Sequence, residues 1–397
     1  MSLTNTPNAE RIHIGFFGLR NAGKSSLVNA VTGQELSVVS EVLGTTTDPV
    51  KKAMELLPLG AVLIIDTPGF DDTGYLGEKR VEKTRKVLAT VDIAVLVVDA
   101  SKGISADDNT LIGLFKERNI PYVIAYNKAD LALVEVKEKN EILVSAQKGK
   151  NINELKELLG TLLSEKQEKF ILADLVKAGD MAVLVTPIDE SAPKGRLILP
   201  QQQTLRELLD LHCIALVCQP EELKATLESL RPSLVITDSQ VFERVSKDTP
   251  KEIPLTSFSI LFARYKGDLE VLVKGAAALK NLKDGDKVLI SEGCTHHRQC
   301  GDIGTVKIPN WIRDFTGKNL EFCFTSGGDF PEDLSEFSLI VHCGGCMLNN
   351  REMAYRINFA KAQGIPIVNY GVLIAHVHKI LKRSLSPFEN LKSIIDD

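Results

Sequence analysis

The residues best suited to chemistry near the start of the chain are Gly18 and the run Gly23-Lys24-Ser25. Their spacing is G-x-x-x-x-G-K-S/T, with a predicted buried strand just before it and a predicted helix just after it. A strand that turns into a helix points successive backbone N–H groups at one place, and the helix N-terminus adds partial positive charge there. The pattern therefore predicts a phosphate-binding loop in which Lys24 reaches the β- and γ-phosphates and Ser25 binds Mg²⁺.

Polar residues at the ends of three further predicted strands indicate which nucleotide is bound. Asp66 and Gly69 follow the first strand, where an aspartate can hold Mg²⁺ through water and a glycine N–H can contact the γ-phosphate. The second leads into Asn127-Lys128-Ala129-Asp130, and Asp130 can accept two hydrogen bonds from the guanine N1–H and N2 amine, which adenine lacks. The third leads into Ser145-Ala146, whose backbone N–H can meet guanine O6. These motifs predict guanosine triphosphate (GTP).

This set of motifs resembles the translation-factor-like class of Ras-like GTPases, specifically the branch that includes Era and the tRNA-modification GTPases. The resemblance implies that Thr46 is the Mg²⁺-binding switch threonine. Asn21 either helps to hold a K⁺ ion beside the phosphates, as in similar GTPases, or is a turn residue that tolerates an unusual backbone angle. Phe70 stands where many GTPases have a water-orienting glutamine, so we expect slow intrinsic hydrolysis. The residues predicted to bind GTP are Gly18, Asn21, Ala22, Gly23, Lys24, Ser25, Ser26, Thr46, Asp66, Gly69, Asn127, Lys128, Asp130, Ser145 and Ala146, with Lys24, Asp66 and Gly69 as the catalytic set.

A second group of reactive residues follows two predicted strands in the C-terminal part of the chain. The strand at 287–290 leads into Cys294 and His296, and the strand at 337–341 leads into the run His342-Cys343-Gly344-Gly345-Cys346. Because the carboxyl ends of parallel strands meet at one edge of a sheet, we expect these side chains to lie close together. The pairing of C-x-x-C with C-x-H predicts a metal site. Three thiolates and a histidine suit zinc, three thiolates with an exchangeable fourth position suit a [4Fe–4S] cluster, and thiolates alone do not choose.

The spacing of these cysteines, behind a GTPase of this branch, carries a more specific resemblance. A C-x-H motif, a spacer of about 45 residues and then H-C-x-x-C resemble the [FeFe]-hydrogenase maturation family HydF. The resemblance implies that Cys294, Cys343 and Cys346 bind a [4Fe–4S] cluster, with His296 and His342 as candidates for the fourth ligand. It further implies a scaffold that receives a diiron precursor from the radical-SAM maturases HydE and HydG, delivers it to the apo-[FeFe]-hydrogenase HydA, and forms a homodimer through its middle domain.

Length and composition restrict the other possibilities. The 397 residues carry a net charge of −5, which argues against broad nucleic-acid binding through a basic surface. No apolar run approaches membrane-spanning length and the polar N-terminus lacks the apolar core of a signal peptide, so we expect a cytoplasmic protein. Its seven cysteines are then expected to be thiols, ligands or core residues rather than disulfides. Cys213, Cys218 and Cys323 are expected to be buried, and Cys300 is a further ligand candidate.

Predicted strands and helices alternate along the chain, which predicts an α/β fold. We expect an N-terminal P-loop GTPase domain at residues 1–170, followed by two smaller α/β domains. By the resemblance, the domain at 175–262 dimerises and the domain at 263–397 binds the cluster. Two other functions fit the motifs: a zinc-containing ribosome- or tRNA-associated GTPase, and a GTPase with a purely structural metal and an unknown protein partner.

Overall fold

The structure, a computed structural model, describes residues 6–34, 49–70, 84–132, 135–162, 169–188, 197–293, 302–345 and 347–396. Contacts between residues divide the chain into two units, Met1–Gln167 and Glu168–Asp397. The end of the first unit lies close to the predicted end of the GTPase domain at residue 170. The division into three domains stays a prediction.

The first unit is built on a six-stranded sheet whose strands are largely apolar because helices pack on both of its faces. All seven residues of its central strand Ile93–Asp99 are buried. The strand order is β2-β3-β1-β4-β5-β6, with β2 antiparallel to β3 and the other neighbours parallel. The strands are β1 (Ile12–Phe17), β2 (Val50–Leu56), β3 (Gly60–Asp66), β4 (Ile93–Asp99), β5 (Tyr122–Asn127) and β6 (Glu141–Leu143).

Two hydrophobic clusters, one on each face, hold the helices of this unit to the sheet. Leu27 and Leu155 belong to the first cluster, and Leu88 and Phe115 belong to the second. The helix Ala106–Glu117 begins at a capping box, in which Ser105 and the residue at its third position bond each other's backbone N–H. The helices are α1 (Lys24–Thr32), α2 (described over 84–90), α3 (Ala106–Glu117) and α4 (Ile152–Thr161), after a short 3₁₀ turn at Asn8–Glu10.

The second unit contains two four-stranded parallel sheets. Their strand orders are β10-β9-β7-β8 and β12-β11-β13-β14. Parallel neighbours bring all the carboxyl ends of one sheet to a single edge. The strands are β7 (Met181–Val185), β8 (Ile214–Cys218), β9 (Leu234–Thr237), β10 (Leu255–Ser257), β11 (Lys287–Glu292), β12 (Glu321–Ser326), β13 (Leu339–His342) and β14 (Ile367–Asn369).

One hydrophobic core joins the two sheets of this unit, since Leu184 of β7 and Leu289 of β11 belong to the same buried cluster. The first helix begins at Leu199, and Pro200 fits its first turn. The predicted boundary between residues 262 and 263 falls inside a helix of the shared core. The helices are α5 (Leu199–Asp210), α6 (Leu223–Ser229), α7 (Phe242–Asp248), α8 (Phe258–Lys266), α9 (Leu269–Ala277), α10 (Ile308–Thr316), α11 (Asn350–Ala362), α12 (Tyr370–Val377), α13 (Leu381–Ser384) and α14 (Glu389–Asp396).

Helix α9 packs so closely on β14 that residue 275 has room only for glycine. A Cβ at Gly275 would overlap the carbonyl oxygen of Ile367, a backbone atom that is held in the sheet. We expect Gly275→Ala to lower the free energy of unfolding of the second unit by about 1–3 kcal/mol, because helix and strand must separate. Urea denaturation measures this change.

The matched control is Gly113→Ala, a substitution of another helical glycine. A Cβ at Gly113, in α3, meets nothing within 4 Å. Alanine should therefore stabilise the first unit by about 0.5–1 kcal/mol through its helix propensity. An unchanged denaturation midpoint for Gly275→Ala would show that α9 can move away from β14 at no cost.

Candidate functional site

Two glycines with left-handed backbone angles shape the turn between β1 and α1. Gly18 has φ +137° and Gly23 has φ +87°, values that residues with a Cβ rarely adopt. A Cβ on Gly18 would overlap the carbonyl oxygen of Val97, and one on Gly23 would overlap the side chain of Asn127. The structure thus requires glycine at both positions where the phosphate-loop motif has it.

Two of the catalytic candidates, Lys24 and Asp66, lie around this turn together with the predicted Mg²⁺ ligand Ser25. Lys24 Nζ donates to the carbonyl oxygens of Gly18 (2.9 Å) and Leu19 (2.7 Å), and Ser25 Oγ donates to Asp66 Oδ2 (2.7 Å). The other oxygen of that carboxylate, Asp66 Oδ1, is buried and has no hydrogen-bond partner within the described ranges. A hydroxyl beside a partly unsatisfied carboxylate offers the oxygen ligands that Mg²⁺ prefers.

The chain after β3 is joined by hydrogen bonds to the end of β1 and to the phosphate loop. Thr67 Oγ1 donates to the carbonyl oxygen of Phe16 (2.6 Å), and the Phe70 N–H donates to that of Gly18 (3.4 Å). These bonds place Gly69, which lies between the two donors, beside the loop. The side chain of Phe70 packs against the buried cluster on one face of the sheet.

The other phosphate-side candidates are Asn21, Ala22, Ser26 and Thr46. Asn21 has φ +60°, a left-handed angle that asparagine tolerates, so its backbone agrees with a turn role. Ala22 is buried and Ser26 lies in the first turn of α1. Thr46 lies outside the described residues. Binding of K⁺ by Asn21 stays a prediction.

The predicted guanine-binding residues are brought together at the ends of β5 and β6. Asn127 Nδ2 donates to the carbonyl oxygen of Ala22 (3.1 Å), and Asn127 Oδ1 accepts from the Ala146 N–H (3.0 Å). The Ser145 hydroxyl donates to Asp130 Oδ1 (2.5 Å) and holds the pKa of that carboxyl below its ordinary value. Asp130 is therefore an anion at neutral pH, ready to accept hydrogen bonds from a base.

Asp99, at the end of β4, belongs to this site although sequence analysis did not single it out. Lys128 has a left-handed φ of +63°, and its Nζ lies 2.6 Å from Asp99 Oδ2. Burial raises the pKa of Asp99, but hydrogen bonds from Lys128 and Ser101 outweigh burial and leave the pKa below its ordinary value. The signal for Asp99 was its position at the end of the strand beside β5, where it is level with Asn127.

The second group of reactive residues lies at the carboxyl edge of the sheet β12-β11-β13-β14. Strands β11 and β13 are parallel neighbours, which confirms the prediction that their ends share an edge. Cys343 Sγ accepts the N–H groups of Gly293 (3.0 Å) and Gly345 (3.4 Å). Cys294, His296 and Cys346, like Cys300, lie outside the described residues. Gly293 directly precedes Cys294 and Gly345 directly precedes Cys346, so the residues before two of the predicted ligands both donate to the sulfur of the third.

A buried lysine that the sequence analysis missed supports this loop from α8. Lys266 is 2% exposed, and its Nζ donates to the carbonyl oxygens of Gly345 and Leu348, both at 3.1 Å. The Lys266 side chain thus holds the carbonyl oxygens of one residue before and one residue after Cys346. Among the described residues alone, no three His, Cys, Asp or Glu side chains are grouped so that they could hold a metal ion.

Two family models match the second unit and one matches the first. The model described as "Hydrogen maturase F dimerization domain" matches residues 171–267, and "Hydrogen maturase F tetramerization domain" matches residues 270–387. The chain belongs to the hydrogen maturase F family. A model described as "50S ribosome-binding GTPase" matches residues 13–128, so the first unit is a P-loop GTPase domain. The descriptions of the first two models support self-association of this hydrogen maturase F chain.

Curated relatives of the hydrogen maturase F chain include GTPases from several bacteria. GTPase Der of Wolinella succinogenes is 38% identical over 163 residues, which cover 37% of this chain and 34% of Der. tRNA modification GTPase MnmE of Heliobacterium modesticaldum is 38% identical over 154 residues, which cover 36% of this chain and 32% of MnmE. The chain thus spans about a third of the length of these relatives. A solved structure of Era from Aquifex aeolicus bound to GDP·AlF4⁻ has a TM-score of 0.35 and 21% identity, over 52% of this chain and 93% of that one.

His342 of this hydrogen maturase F chain is completely buried at the end of β13. Its Nδ1 lies 2.8 Å from the Cys343 carbonyl oxygen and its Nε2 lies 3.0 Å from Arg356 Nη1. Burial, together with the Arg356 guanidinium, lowers the pKa of His342 to about 3, so the ring is neutral at physiological pH. Both ring nitrogens therefore have protein partners.

The remaining described cysteines of the hydrogen maturase F chain are not at this edge. Cys213 is buried, as predicted, and its Sγ donates to the Lys177 carbonyl oxygen (3.2 Å), while burial raises its pKa. Cys218 and Cys323 were predicted to be buried but are only half-buried. Each of them lies on an outer strand of its sheet. Within the described part of the chain, no helix is both long and apolar enough to cross a membrane.

Proposed function

We propose that this chain is a GTP-hydrolysing scaffold that carries a [4Fe–4S] cluster and delivers a diiron precursor to apo-[FeFe]-hydrogenase. The observation that carries the proposal is the convergence on Cys343 Sγ of the residues preceding Cys294 and Cys346. Backbone N–H groups directed at sulfur stabilise a thiolate, the form that binds iron. Cys294, Cys343 and Cys346 are then the cluster ligands.

Three protein thiolates leave one iron of such a cluster with an exchangeable position, which is the chemistry that the cluster supplies when bound. With the cluster held by Cys294, Cys343 and Cys346, this position would allow a diiron unit to be bound and then released to an acceptor that binds the unit more tightly. A closed tetrahedral zinc site lacks this position. The set of three cysteines therefore suits transient carriage, and the radical-SAM maturases HydE and HydG and the hydrogenase HydA are the proposed donors and acceptor.

The GTPase domain is proposed to control partner docking. Ser25, Asp66 and Thr46 would hold Mg²⁺, and the side chain of Phe70 cannot orient an attacking water, so hydrolysis should be slow, with K⁺ held by Asn21 as its activator. GTP would order the switch loops and thereby change the affinity for partners. The protein would act as a cytoplasmic homodimer. Equal partner affinities of the GTP- and GDP-bound forms in a titration would contradict this coupling.

Anaerobic reconstitution with iron and sulfide tests the scaffold function first. We expect about four irons per chain and a reducible [4Fe–4S] signal in low-temperature electron paramagnetic resonance, since three cysteines hold one cluster. Addition of a synthetic diiron complex, removal of the unbound complex and mixing with apo-hydrogenase should then produce hydrogenase activity. Reconstituted protein that has not received the diiron complex is the control.

A protein that takes up no iron and retains one zinc would contradict the proposal. This result would favour the zinc-containing ribosome- or tRNA-associated GTPase. Such a protein is expected to bind RNA with a strong salt dependence. Unchanged partner binding after removal of the metal would instead indicate a purely structural site.

A further inference from the structure

A buried arginine, Arg356 of α11, links the ends of three strands at the cysteine edge. Its Nη1 lies 3.0 Å from His342 Nε2 at the end of β13 and 3.4 Å from Ser291 Oγ near the end of β11. Its Nη2 donates to the carbonyl oxygen of Gly327, just after β12 (2.7 Å). The arginine side chain is 2% exposed and its guanidinium carbon lies 5.2 Å from the centroid of the Phe330 ring.

The charge of this arginine is balanced from its own helix. Glu352 Oε1, one turn earlier on α11, lies 2.6 Å from Arg356 Nη2. A planar guanidinium can serve several acceptors in fixed directions at once, which the single ammonium of a lysine cannot do. The planar geometry of the Arg356 guanidinium, and not only its charge, therefore joins the three strand ends.

The hydrogen-bond partners of His342 determine which ring nitrogen carries the proton. A carbonyl oxygen can only accept, so Nδ1 carries the hydrogen and donates to Cys343. A guanidinium can only donate, so Nε2 offers its lone pair to Arg356. A ring in this state has no lone pair left for a metal ion.

We propose that Arg356 and His342 are a positioning pair for Cys343, and that His342 is not an iron ligand; this inference rests on the proposed function. Both backbone polar groups of Cys343 are held by residues that Arg356 contacts. The Cys343 N–H donates to the Ser291 carbonyl oxygen (2.9 Å), and the Cys343 carbonyl accepts from His342. The pair thus aims Cys343 Sγ toward the edge before any metal binds.

Two substitutions of His342 and two of Arg356 test the pair. His342→Asn can keep a donor near the position of Nδ1 but cannot reach Arg356, whereas His342→Gln can reach Arg356 but loses the bond to Cys343. Arg356→Gln removes the guanidinium group, whereas Arg356→Lys is the milder variant because it keeps the positive charge. The matched control is Arg206→Gln, which breaks an exposed pair with Asp210 that also has helical i,i+4 spacing.

We expect Arg356→Gln and His342→Gln each to lower the affinity for the cluster about 10-fold or more, as removal of residues behind metal ligands does. Since the two residues act as a unit, the double variant should lose little more than either single variant. His342→Asn, which keeps the bond to Cys343 but loses the contact with Arg356, should lose less iron than His342→Gln, and Arg206→Gln should lose none. The ¹⁴N hyperfine couplings of the reduced cluster should be the same in His342→Asn and wild type. The opposite result would be a nitrogen that is directly coupled to the cluster in the wild type. If this coupling is lost in His342→Asn but kept in Arg356→Gln, His342 is an iron ligand and the inference is overturned.

A readout on the metal-free protein separates this inference from the proposed function. The rate at which iodoacetamide alkylates Cys343, followed by peptide mass spectrometry, should change several-fold in Arg356→Gln and Arg356→Lys, and not in Arg206→Gln. If the wild type takes up no iron but these rates change, the proposed function fails while the positioning role stands. Unchanged alkylation rates in both Arg356 variants would overturn the positioning role.

Discussion

Cys343→Ser should lower the iron content after anaerobic reconstitution by about 10-fold or more. A serine hydroxyl is not ionised at neutral pH and is a much poorer iron ligand than a thiolate, so only two of the three cysteines would remain. The loss should be large because Cys343 Sγ is the atom on which the Gly293 and Gly345 N–H groups converge. Colorimetric iron and sulfide assays, with electron paramagnetic resonance of the reduced protein, measure the effect.

Cys323→Ser is the matched control within the same sheet. Cys323 lies in the middle of β12, level with Leu289 of β11, and therefore away from the carboxyl edge. Serine at this half-buried position should leave the iron content at the wild-type level. Full iron content in Cys343→Ser, or a loss in Cys323→Ser equal to that in Cys343→Ser, would show that the ligands have been assigned to the wrong edge of the sheet.

The sequence predicted those parts of both sites that depend on backbone position. Positive φ angles and close neighbouring atoms require glycine at Gly18 and Gly23. At such positions the residue type itself indicates the backbone conformation. The shared edge of β11 and β13 followed from two apolar runs, each ending in cysteines, because parallel strands align their ends. The local sequence pattern was therefore sufficient to predict these site residues, which follow the ends of strands.

The sequence did not reveal the site residues whose contacts are distant along the chain. Arg356 and Lys266 lie on helices whose sequences do not reveal that the charged group is buried, since most arginines and lysines are exposed. Asp99 was not predicted because its role depends on a contact with Lys128, which the left-handed turn after β5 brings to it. Long-range pairing of charges cannot be obtained from periodicity alone.

Asp130→Asn should lower the affinity for GTP by about 100-fold or more and create affinity for xanthosine triphosphate. Sites that lose a hydrogen-bond match to a polar ligand discriminate by factors of this size or larger. Ser145 Oγ donates to Asp130 Oδ1, so in the variant the amide oxygen is expected to keep that bond and the amide nitrogen to take the place of the other carboxylate oxygen. A donor would then face the N2 amine of guanine, also a donor, whereas xanthine presents a carbonyl oxygen there.

Calorimetric titrations of the nucleotide-free protein with both nucleotides measure the exchange of specificity. Asp107→Asn, which changes an exposed aspartate in the first turn of α3, is the control for the loss of one charge from the same unit. It should bind GTP as the wild type does and should not bind xanthosine triphosphate. The affinity for GTP in Asp130→Asn measures the guanine contact alone, because the substitution leaves Lys24, Ser25 and Asp66 in place around the phosphates. Wild-type affinity for GTP in Asp130→Asn would mean that the base is recognised elsewhere, and that the bond between Ser145 and Asp130 only closes the loop.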